Sequence, residues 1–366
     1  MTVKKMNKRY LILEDGTVFT GEGFGANIEK KGEVIFYNGM TGYQEFITDP
    51  SYNGKMVVMT FPLVGAYGIN RDDVEAISPH IEGLIVKELA SEPSNFRSEE
   101  SLDSYLRREN IPGLKGIDTR KLTRHLRKKN LRGILTDWKD VSIKELFSES
   151  NWPKRSFVKE VSVTKPYIVP GLGQRILVLD LGMKQSVLHE LMERQCHVTV
   201  VPYNYDAEAI RAFKPDGILL SNGPGNPEDY PEVIETIQTL LGQLPLFGIG
   251  LGHQLFALAS GAQVKKQAVG FYGKNFSVQD VETGKTWNTS QSRSFYVVEE
   301  SIATDTLKIT YRSMVDGAVE GLSHTKYPAF SVQFHPEGAP GNKETNFLFD
   351  RFLQVIEETK QRVGEK

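Results

Sequence analysis

Residues 246–255, with the sequence LFGIGLGHQL, constrain the fold more than any other part of the chain. An apolar run gives way to small residues, and apolar residues then return at helical spacing, which predicts a strand, a tight turn and a helix. Such a turn, a nucleophile elbow, holds its central residue in a strained backbone conformation beside a helix N-terminus that favours an anion. Gly248 and Gly252 leave room for the bend. The central residue is Gly250, which has no side chain.

The pattern Gly-Ile-x-Leu-Gly-His-Gln around position 250 resembles the nucleophile motif of the class I glutamine amidotransferases. In that class x is a cysteine, which forms a thioester with the glutamine carbonyl group. Here x is Gly250. The resemblance implies an amidotransferase fold whose nucleophile position carries no sulfur.

Composition sets the broad class of the protein. A length of 366 residues suggests about two domains. The net charge of −2 and the pI near 6.4 argue against a nucleic-acid footprint. No apolar run is long enough for a membrane span, and Met1–Met6 lacks the apolar core of a signal peptide. The single cysteine excludes an internal disulfide, so we expect a cytoplasmic protein.

The first part of the chain reads as short strands. Residues 10–14 and 17–19 predict two strands joined by the two-residue turn Asp15-Gly16, since Asp-Gly accepts positive φ angles. Residues 32–37 and 55–60 predict further strands. We therefore expect residues 1–150 to form a β-rich domain. Between these strands, residues 40–52 are polar and aromatic, and composition alone favours a surface loop with a packed tyrosine.

Two segments of this domain carry a more specific resemblance. Met40-Thr41-Gly42-Tyr43-Gln44-Glu45, followed by residues 48–52, and later Gly-Ile-Asp-Thr-Arg-Lys-Leu-Thr-Arg at 116–124, resemble signature segments of the small subunit of carbamoyl-phosphate synthase. Amidotransferases paired with anthranilate or GMP synthesis lack this domain. The similarity covers nearly the whole chain and preserves the order of the motifs. The chain is thus identified as a member of the carbamoyl-phosphate synthase small-subunit family.

Residues 121–129 have helical spacing, with Leu122 and Leu126 on one face and cations elsewhere. A solvated helix face is the structural interpretation, and a docking surface is the functional one. Phosphate binding by these cations is a further alternative, but positive charge alone does not predict it.

The second part of the chain predicts an open, mainly parallel sheet flanked by helices. The pattern weakens over residues 151–173, which we assign as a linker, and residues 174–366 then alternate strand and helix. Ligands bind beyond the carboxyl ends of such strands, where residues 221–227 and Gly250 both fall. Cys196 precedes the second strand of this domain, on the side of the sheet opposite the carboxyl ends of the strands, so a small buried or half-buried residue is a better interpretation than a substitute nucleophile.

Amide hydrolysis through a thioester needs a thiolate, a base, a group that orients the base, and donors for the oxyanion. Residues 330–334 predict a strand that leads to His335-Pro336-Glu337. The proline fixes the turn, so Glu337 can hold one imidazole nitrogen while the other faces the elbow. We predict His335 and Glu337 as the base and its orienting group, with Gly250 at the nucleophile position.

The remaining site residues follow from the resemblance alone. It implies that Gly223 and the backbone of Leu251 supply the oxyanion donors. It also implies that glutamine contacts Ser51, Gly225, Gln254 and Phe295. His253 is expected to be structural.

The sequence departs from the family in three segments. Besides Gly250, the family's Gln-Asn-His-Gly-Phe reads Gln291-Ser292-Arg293-Ser294-Phe295, and its Gly-Gly-Asn-His-Pro reads Gly-Lys-Asn-Phe-Ser at 273–277. Ser292 and Ser294 therefore replace an asparagine and a glycine of the glutamine pocket. Three altered segments favour natural loss of glutaminase function over an active enzyme altered at position 250, and we predict a folded domain that does not hydrolyse glutamine.

Three functions remain in competition. The first is a subunit whose large synthetase partner makes carbamoyl phosphate from bicarbonate, ATP and free ammonia, where the family uses glutamine, for arginine and pyrimidine synthesis. The second is a non-catalytic regulatory or scaffold subunit of the same synthetase. The third is an active glutaminase altered at position 250. The chain has no Gly-x-x-x-x-Gly-Lys-Ser/Thr loop and no metal-ligand spacing, so we expect ATP and a divalent cation on the large subunit.

Overall fold

The structure is a computed structural model that describes residues 8–139 and 142–364. These residues form two compact units. The first comprises everything described before Ser156 together with Ala268–Tyr272, and the second comprises Ser156–Gln267 and the described residues from Gly273 onward.

The first unit is β-rich, as the sequence predicts. Its strands are β1 (Lys8–Leu13), β2 (Val18–Gly25), β3 (Lys30–Tyr37), β4 (Lys55–Met59), β5 (Leu63–Val64), β6 (Gly83–Ile85), β7 (Glu88–Leu89), β8 (Pro112–Lys115) and β9 (Leu131–Thr136). Its helices are α1 (Tyr43–Thr48), α2 (Leu102–Arg108), α3 (Thr119–Leu126) and α4 (Ile143–Leu146), with a 3₁₀ helix at Pro50–Tyr52.

Seven of these strands close into a barrel in the order β1-β2-β8-β6-β4-β3-β9. One apolar cluster takes side chains from every strand of the barrel, as expected for a barrel interior, and Leu122 and Leu126 of α3 join it. A second cluster packs α1 and α2 against β2, β3, β4 and β6. The unit therefore has its own core.

The turn between β1 and β2 differs from the prediction. The amide of Leu13 donates to the carbonyl of Thr17 at 2.9 Å, and the amide of Gly16 donates back to Leu13 at 2.9 Å. This pattern encloses three loop residues, Glu14–Gly16, rather than two. Gly16 has φ of 87°, and a glycine at that angle closes a three-residue hairpin loop through a bulge.

The interpretation of residues 40–52 as a surface loop is wrong. The segment forms α1 and the 3₁₀ helix, and most of its side chains are buried. Composition misleads here because its polar groups bond within the unit. The hydroxyl of Tyr67 accepts the amides of Gly42 and Tyr43 at 2.9 Å each, and Gln44 accepts the amide of Asn70 at 3.0 Å.

Helix α3 begins two residues earlier than the predicted 121–129 and ends at Leu126. Asp118 sets the start, because its carboxylate accepts the amide of Lys121 at 2.8 Å. The cations at 127–129 follow the helix rather than belong to it.

The second unit alternates strand and helix before a run of antiparallel strands. Its strands are β10 (Tyr167–Val169), β11 (Arg175–Asp180), β12 (His197–Pro202), β13 (Gly217–Leu220), β14 (Leu246–Ile249), β15 (Val264–Asp280), β16 (Thr286–Val297), β17 (Leu307–Ser313), β18 (Val319–His324) and β19 (Ala329–Val332). Its helices are α5 (Phe157–Val161), α6 (Gln185–Glu193), α7 (Ala207–Ala212), α8 (Pro231–Leu240), α9 (Leu251–Ala259) and α10 (Phe347–Gly364). Ala268–Tyr272, the middle of β15, belongs to the first unit.

These strands form one sheet in the order β10-β12-β11-β13-β14-β19-β18-β16-β15-β17. Its centre, from β12 to β19, is parallel. Strand β10 pairs antiparallel at one edge, and β18 pairs antiparallel with β19 on the other side. The open sheet with a parallel centre that was predicted for this part of the chain is confirmed, whereas the run of antiparallel strands beyond β19 was not predicted.

Burial on both faces explains why the parallel strands are continuous apolar runs. Along β11, Leu177 and Leu179 enter one apolar cluster, and Ile176 and Val178 enter another. Alternate side chains of a strand point to opposite faces, so each face has its own core. Helices α8 and α9 contribute to the first cluster, and α6 and α10 contribute to the second. The carboxyl ends of the parallel strands are thus left to carry the loops of the site.

Candidate active site

The elbow has the geometry that the sequence predicts. Gly250 lies between β14 and α9 with φ of 58° and ψ of −109°. A Cβ on Gly252 would lie 2.3 Å from the carbonyl oxygen of Leu220, and a Cβ on Gly248 would lie 2.8 Å from that of Gly252. The flanking glycines are therefore required by close backbone approach. The amide of Gly250 donates to Val332 at 2.9 Å, which fixes the turn against β19.

His335 and Glu337 form the predicted dyad. His335 Nδ1 lies 2.9 Å from Glu337 Oε1, and both side chains are buried. Burial alone would raise the pKa of Glu337, but the charges of Lys184 and His335 hold that pKa well below its usual range. An anionic carboxylate at Nδ1 assigns the ring proton to that nitrogen. Whenever the imidazole is neutral, its lone pair is then on Nε2.

The imidazole is adjacent to position 250. A Cβ built on Gly250 would lie 3.9 Å from His335 Cε1 and 3.3 Å from Asn222 Cβ. Among residues 8–139 and 142–364, His335 Nε2 has no hydrogen-bond partner although it is buried. His335 and Glu337 thus lie where the predicted base and its orienting group are expected, and a side chain at position 250 would face them.

Lys184 is a site residue that the sequence analysis missed. It is buried at the start of α6, and its Nζ lies 2.7 Å from Glu337 Oε1 and also donates to the carbonyl of Ala339. The same carboxylate oxygen, Glu337 Oε1, therefore lies within hydrogen-bond distance of both Lys184 Nζ and His335 Nδ1. The available signal was a lysine in the strand-to-helix loop at the carboxyl end of β11.

The predicted oxyanion donors lie beside the elbow. A Cβ on Gly223 would lie 2.1 Å from the carbonyl oxygen of Leu181 and 3.1 Å from Leu251 Cδ2, so only glycine fits there. Leu251 is the first residue of α9, and its amide has no acceptor within the helix. The structure therefore places Gly223, Gly250, Leu251 and the dyad together, whereas the oxyanion role itself stays a prediction.

Glutamine is also predicted to contact Gln254, Gly225 and Ser51. Gln254 is buried, and its Nε2 donates to Gln333 at 2.9 Å and to the carbonyl of Phe295 at 3.4 Å. Gly225 has φ of 96° and faces the hydroxyl of Tyr230. Ser51 lies in the 3₁₀ helix of the first unit, where its amide donates to Asp49 at 2.8 Å. Their roles in glutamine binding stay predictions.

Ser292 and Ser294 flank a buried charge on β16. Arg293 is fully buried and lies 2.9 Å from Asp316 and 2.9 Å from Glu320, which is also fully buried. Burial raises the pKa of Glu320 to about 7, against the opposing charge of Arg293. In the sequence, this segment stands out only as a departure from the family.

His253 is neutral in this environment. Burial, followed by the charge of Arg293, lowers its pKa to about 3, and its Nδ1 lies 2.8 Å from the hydroxyl of Ser331. Cys196 is also buried, and burial raises the pKa of its thiol to about 11. A thiol with that pKa is protonated at neutral pH and is a poor nucleophile.

Within residues 8–139 and 142–364, no group of three or more histidine, cysteine, aspartate or glutamate side chains is placed to hold a metal ion. None of the helices in those ranges is both long and apolar enough to cross a membrane.

A parallel sheet, an elbow at the end of β14 and a His-Glu dyad at the end of β19 define a class I glutamine amidotransferase domain. Residues 177–355 match the family described as glutamine amidotransferase class-I. A solved structure of a glutamine amidotransferase from Thermotoga maritima aligns over 52% of this chain and 86% of its own, with 19% identity and a TM-score of 0.35.

The first unit shows to which family within the amidotransferase class the chain belongs. Residues 11–135 match the carbamoyl-phosphate synthase small chain, CPSase domain. The carbamoyl phosphate synthase small chain of Oceanobacillus iheyensis is 53% identical over 98% of this chain and 99% of its own length. The pyrimidine-specific small chain of Halalkalibacterium halodurans is 52% identical over 97% of this chain and 99% of its own. The chain therefore belongs to the carbamoyl-phosphate synthase small-chain family.

Proposed function

We propose that this chain is the small subunit of a carbamoyl-phosphate synthase and that its amidotransferase domain does not hydrolyse glutamine. Membership in the small-chain family supports the first part. The observation that carries the second part is Gly250 in a complete elbow, with a Cβ position 3.9 Å from His335 Cε1.

The loss of one side chain removes one step of the reaction. A thioester mechanism needs a sulfur that attacks the amide carbon while His335 takes its proton. With Gly250 there is no group for His335 to deprotonate, although the imidazole remains positioned by Glu337. Removing the nucleophile of the subtilisin triad lowers kcat on the order of 10⁶-fold. Only slow attack by water, helped by the oxyanion donors, remains.

The nitrogen atom of carbamoyl phosphate then comes from a source other than glutamine. We infer that the large synthetase partner combines bicarbonate and ATP with free ammonia, and that ATP and its divalent cation bind to that partner. The pathway we propose first is pyrimidine synthesis, because one relative is named pyrimidine-specific. Arginine synthesis is the other pathway that the family supplies. Both place the complex in the cytoplasm.

The test is reconstitution of the chain with its large partner, followed by carbamoyl phosphate formation with ammonium or glutamine as the nitrogen source. We expect product with ammonium and only background product with glutamine. A rate with glutamine that matches the ammonium rate would overturn the proposal. Binding without stimulation by either nitrogen source would instead favour a purely regulatory subunit.

A further inference from the structure

Helix α3 and the three residues after it carry six positively charged side chains and no acidic one. We call these residues the α3 basic face: Arg120, Lys121, Arg124, Arg127, Lys128 and Lys129. All six are exposed. The whole chain has a net charge of −2, so this positive surface is a local feature.

The fold of the first unit does not use these charges. Leu122 and Leu126 turn inward to the barrel core. Within residues 8–139 and 142–364, none of the six lies within 4.0 Å of a carboxylate. The guanidinium of Arg127 lies over the ring of Phe36, 5.7 Å from its centre. The nearby carboxylate of Asp15 is paired with His125, whose Nε2 lies 2.6 Å from Asp15 Oδ2.

Helix stability does not explain the pattern either. Cations favour the C-terminal turn of a helix, where the dipole is negative. Arg120 and Lys121 lie in the first turn of α3, where the dipole disfavours them. The helix dipole therefore does not account for Arg120 and Lys121.

The shape of the surface indicates the kind of partner. Lys121, Arg124 and Lys128 line a shallow concavity of about 330 Å³, whose other wall includes Thr17 and Phe19. At a helical rise of roughly 1.5 Å per residue, the seven steps from Lys121 to Lys128 spread these cations over about 10 Å along the helix axis. A single phosphate needs donors that converge on one point, whereas a row of cations matches an extended acidic surface.

We propose that the α3 basic face docks onto an acidic surface of the large synthetase chain. This inference rests on the proposed function, which supplies the partner. Complementary charge would steer the two chains together and fix their register, as it does at other protein interfaces. Cations that pair with no carboxylate among the described residues of the free subunit would gain acidic partners in the complex.

The experiment compares affinities for the purified large chain. The variant Lys121→Glu/Arg124→Glu/Lys128→Glu is expected to raise Kd by about tenfold or more at 0.1 M salt, chiefly through slower association. The effect should shrink at 1 M salt, because the screening length falls from about 10 Å to about 3 Å. Glutamine at the same three positions should give an intermediate Kd. Thermal midpoints should not change, since these side chains are exposed and unpaired with acids.

The matched control is Lys165→Glu/Lys214→Glu/Lys326→Glu, which makes the same charge change at exposed sites of the second unit. We expect this control to bind like the parent. An unchanged Kd for the α3 variant, or an equal loss in both variants, would overturn the docking surface alone. A parent chain that does not bind the large chain would overturn the proposed function as well. Oligonucleotide binding that only the α3 variant loses, with an unchanged Kd for the large chain, would assign the face to nucleic acid.

Discussion

Replacing Gly250 with cysteine restores the one group that the elbow lacks. The new Cβ would lie 3.3 Å from Asn222 Cβ, which is tight, and 3.9 Å from His335 Cε1. Any side chain here also takes a φ of 58°, at a cost of about 1–3 kcal/mol. A domain of this size loses about 2–4 °C per kcal/mol, so we expect the thermal midpoint to fall by about 2–12 °C.

The reactivity of the new thiol can be compared with that of Cys196. A cysteine beside a histidine and a helix N-terminus has a pKa of about 3.5–7.5 and is largely ionised at neutral pH. The pKa of Cys196 is raised to about 11, so only about one molecule in 10⁴ is ionised at pH 7. After the lower intrinsic nucleophilicity of an acidic thiol is allowed for, we expect a difference in alkylation rate of about 10²–10³.

The assay is alkylation by iodoacetamide at pH 7, read by intact mass, together with ammonia release from glutamine. Gly250→Cys should gain one fast-reacting thiol and measurable glutaminase activity. Adding Ser292→Asn and Ser294→Gly should raise that activity further. Gly250→Ala is the matched control, because it carries the same backbone strain without sulfur. A folded Gly250→Cys protein whose new thiol reacts no faster than Cys196 would refute the argument that the dyad is poised for a nucleophile.

Further predictions concern stability. Lys184→Met should lower the free energy of unfolding in urea by about 3–5 kcal/mol, because it leaves Glu337 as a buried charge beside His335. The control is Lys308→Met, which breaks the exposed ion pair of Lys308 with Glu282 and should cost less than about 1 kcal/mol. Equal costs for the two variants would contradict this reasoning. His253 has a pKa of about 3 when folded and about 6.5 when unfolded, so below pH 6.5 the unfolded state binds the extra proton. Its contribution should fall by up to about 1.4 kcal/mol per pH unit between pH 6.5 and pH 3, and His253→Gln should remove that slope from a pH series of unfolding curves; an unchanged slope would count against a neutral His253.

The features that could be predicted from the sequence are those encoded within a few consecutive residues. The strands Arg175–Asp180 and His197–Pro202 are apolar runs of strand length, which is the local signal behind the predicted alternation of strand and helix after residue 174. The elbow followed from the spacing of Gly248, Gly250 and Gly252. The pairing of His335 with Glu337 followed from their separation by a single proline.

Long-range relations could not be read in the same way. Lys184 meets Glu337 across 153 positions, and no local pattern encodes that distance. The closure of seven strands into a barrel depends on which strands pair, which their individual sequences do not state. The long strands β15 and β16 are polar on much of their length, so they lacked the apolar alternation that predicts strands.

The most direct test of the central claim follows the nitrogen atom. The reconstituted complex would receive glutamine labelled with ¹⁵N at the amide, together with an equal concentration of unlabelled ammonium, and the carbamoyl phosphate would be analysed by mass. We predict product that carries unlabelled nitrogen, because this chain cannot form the acyl-enzyme that releases the amide. Product enriched in ¹⁵N to the level of the glutamine amide would contradict the account.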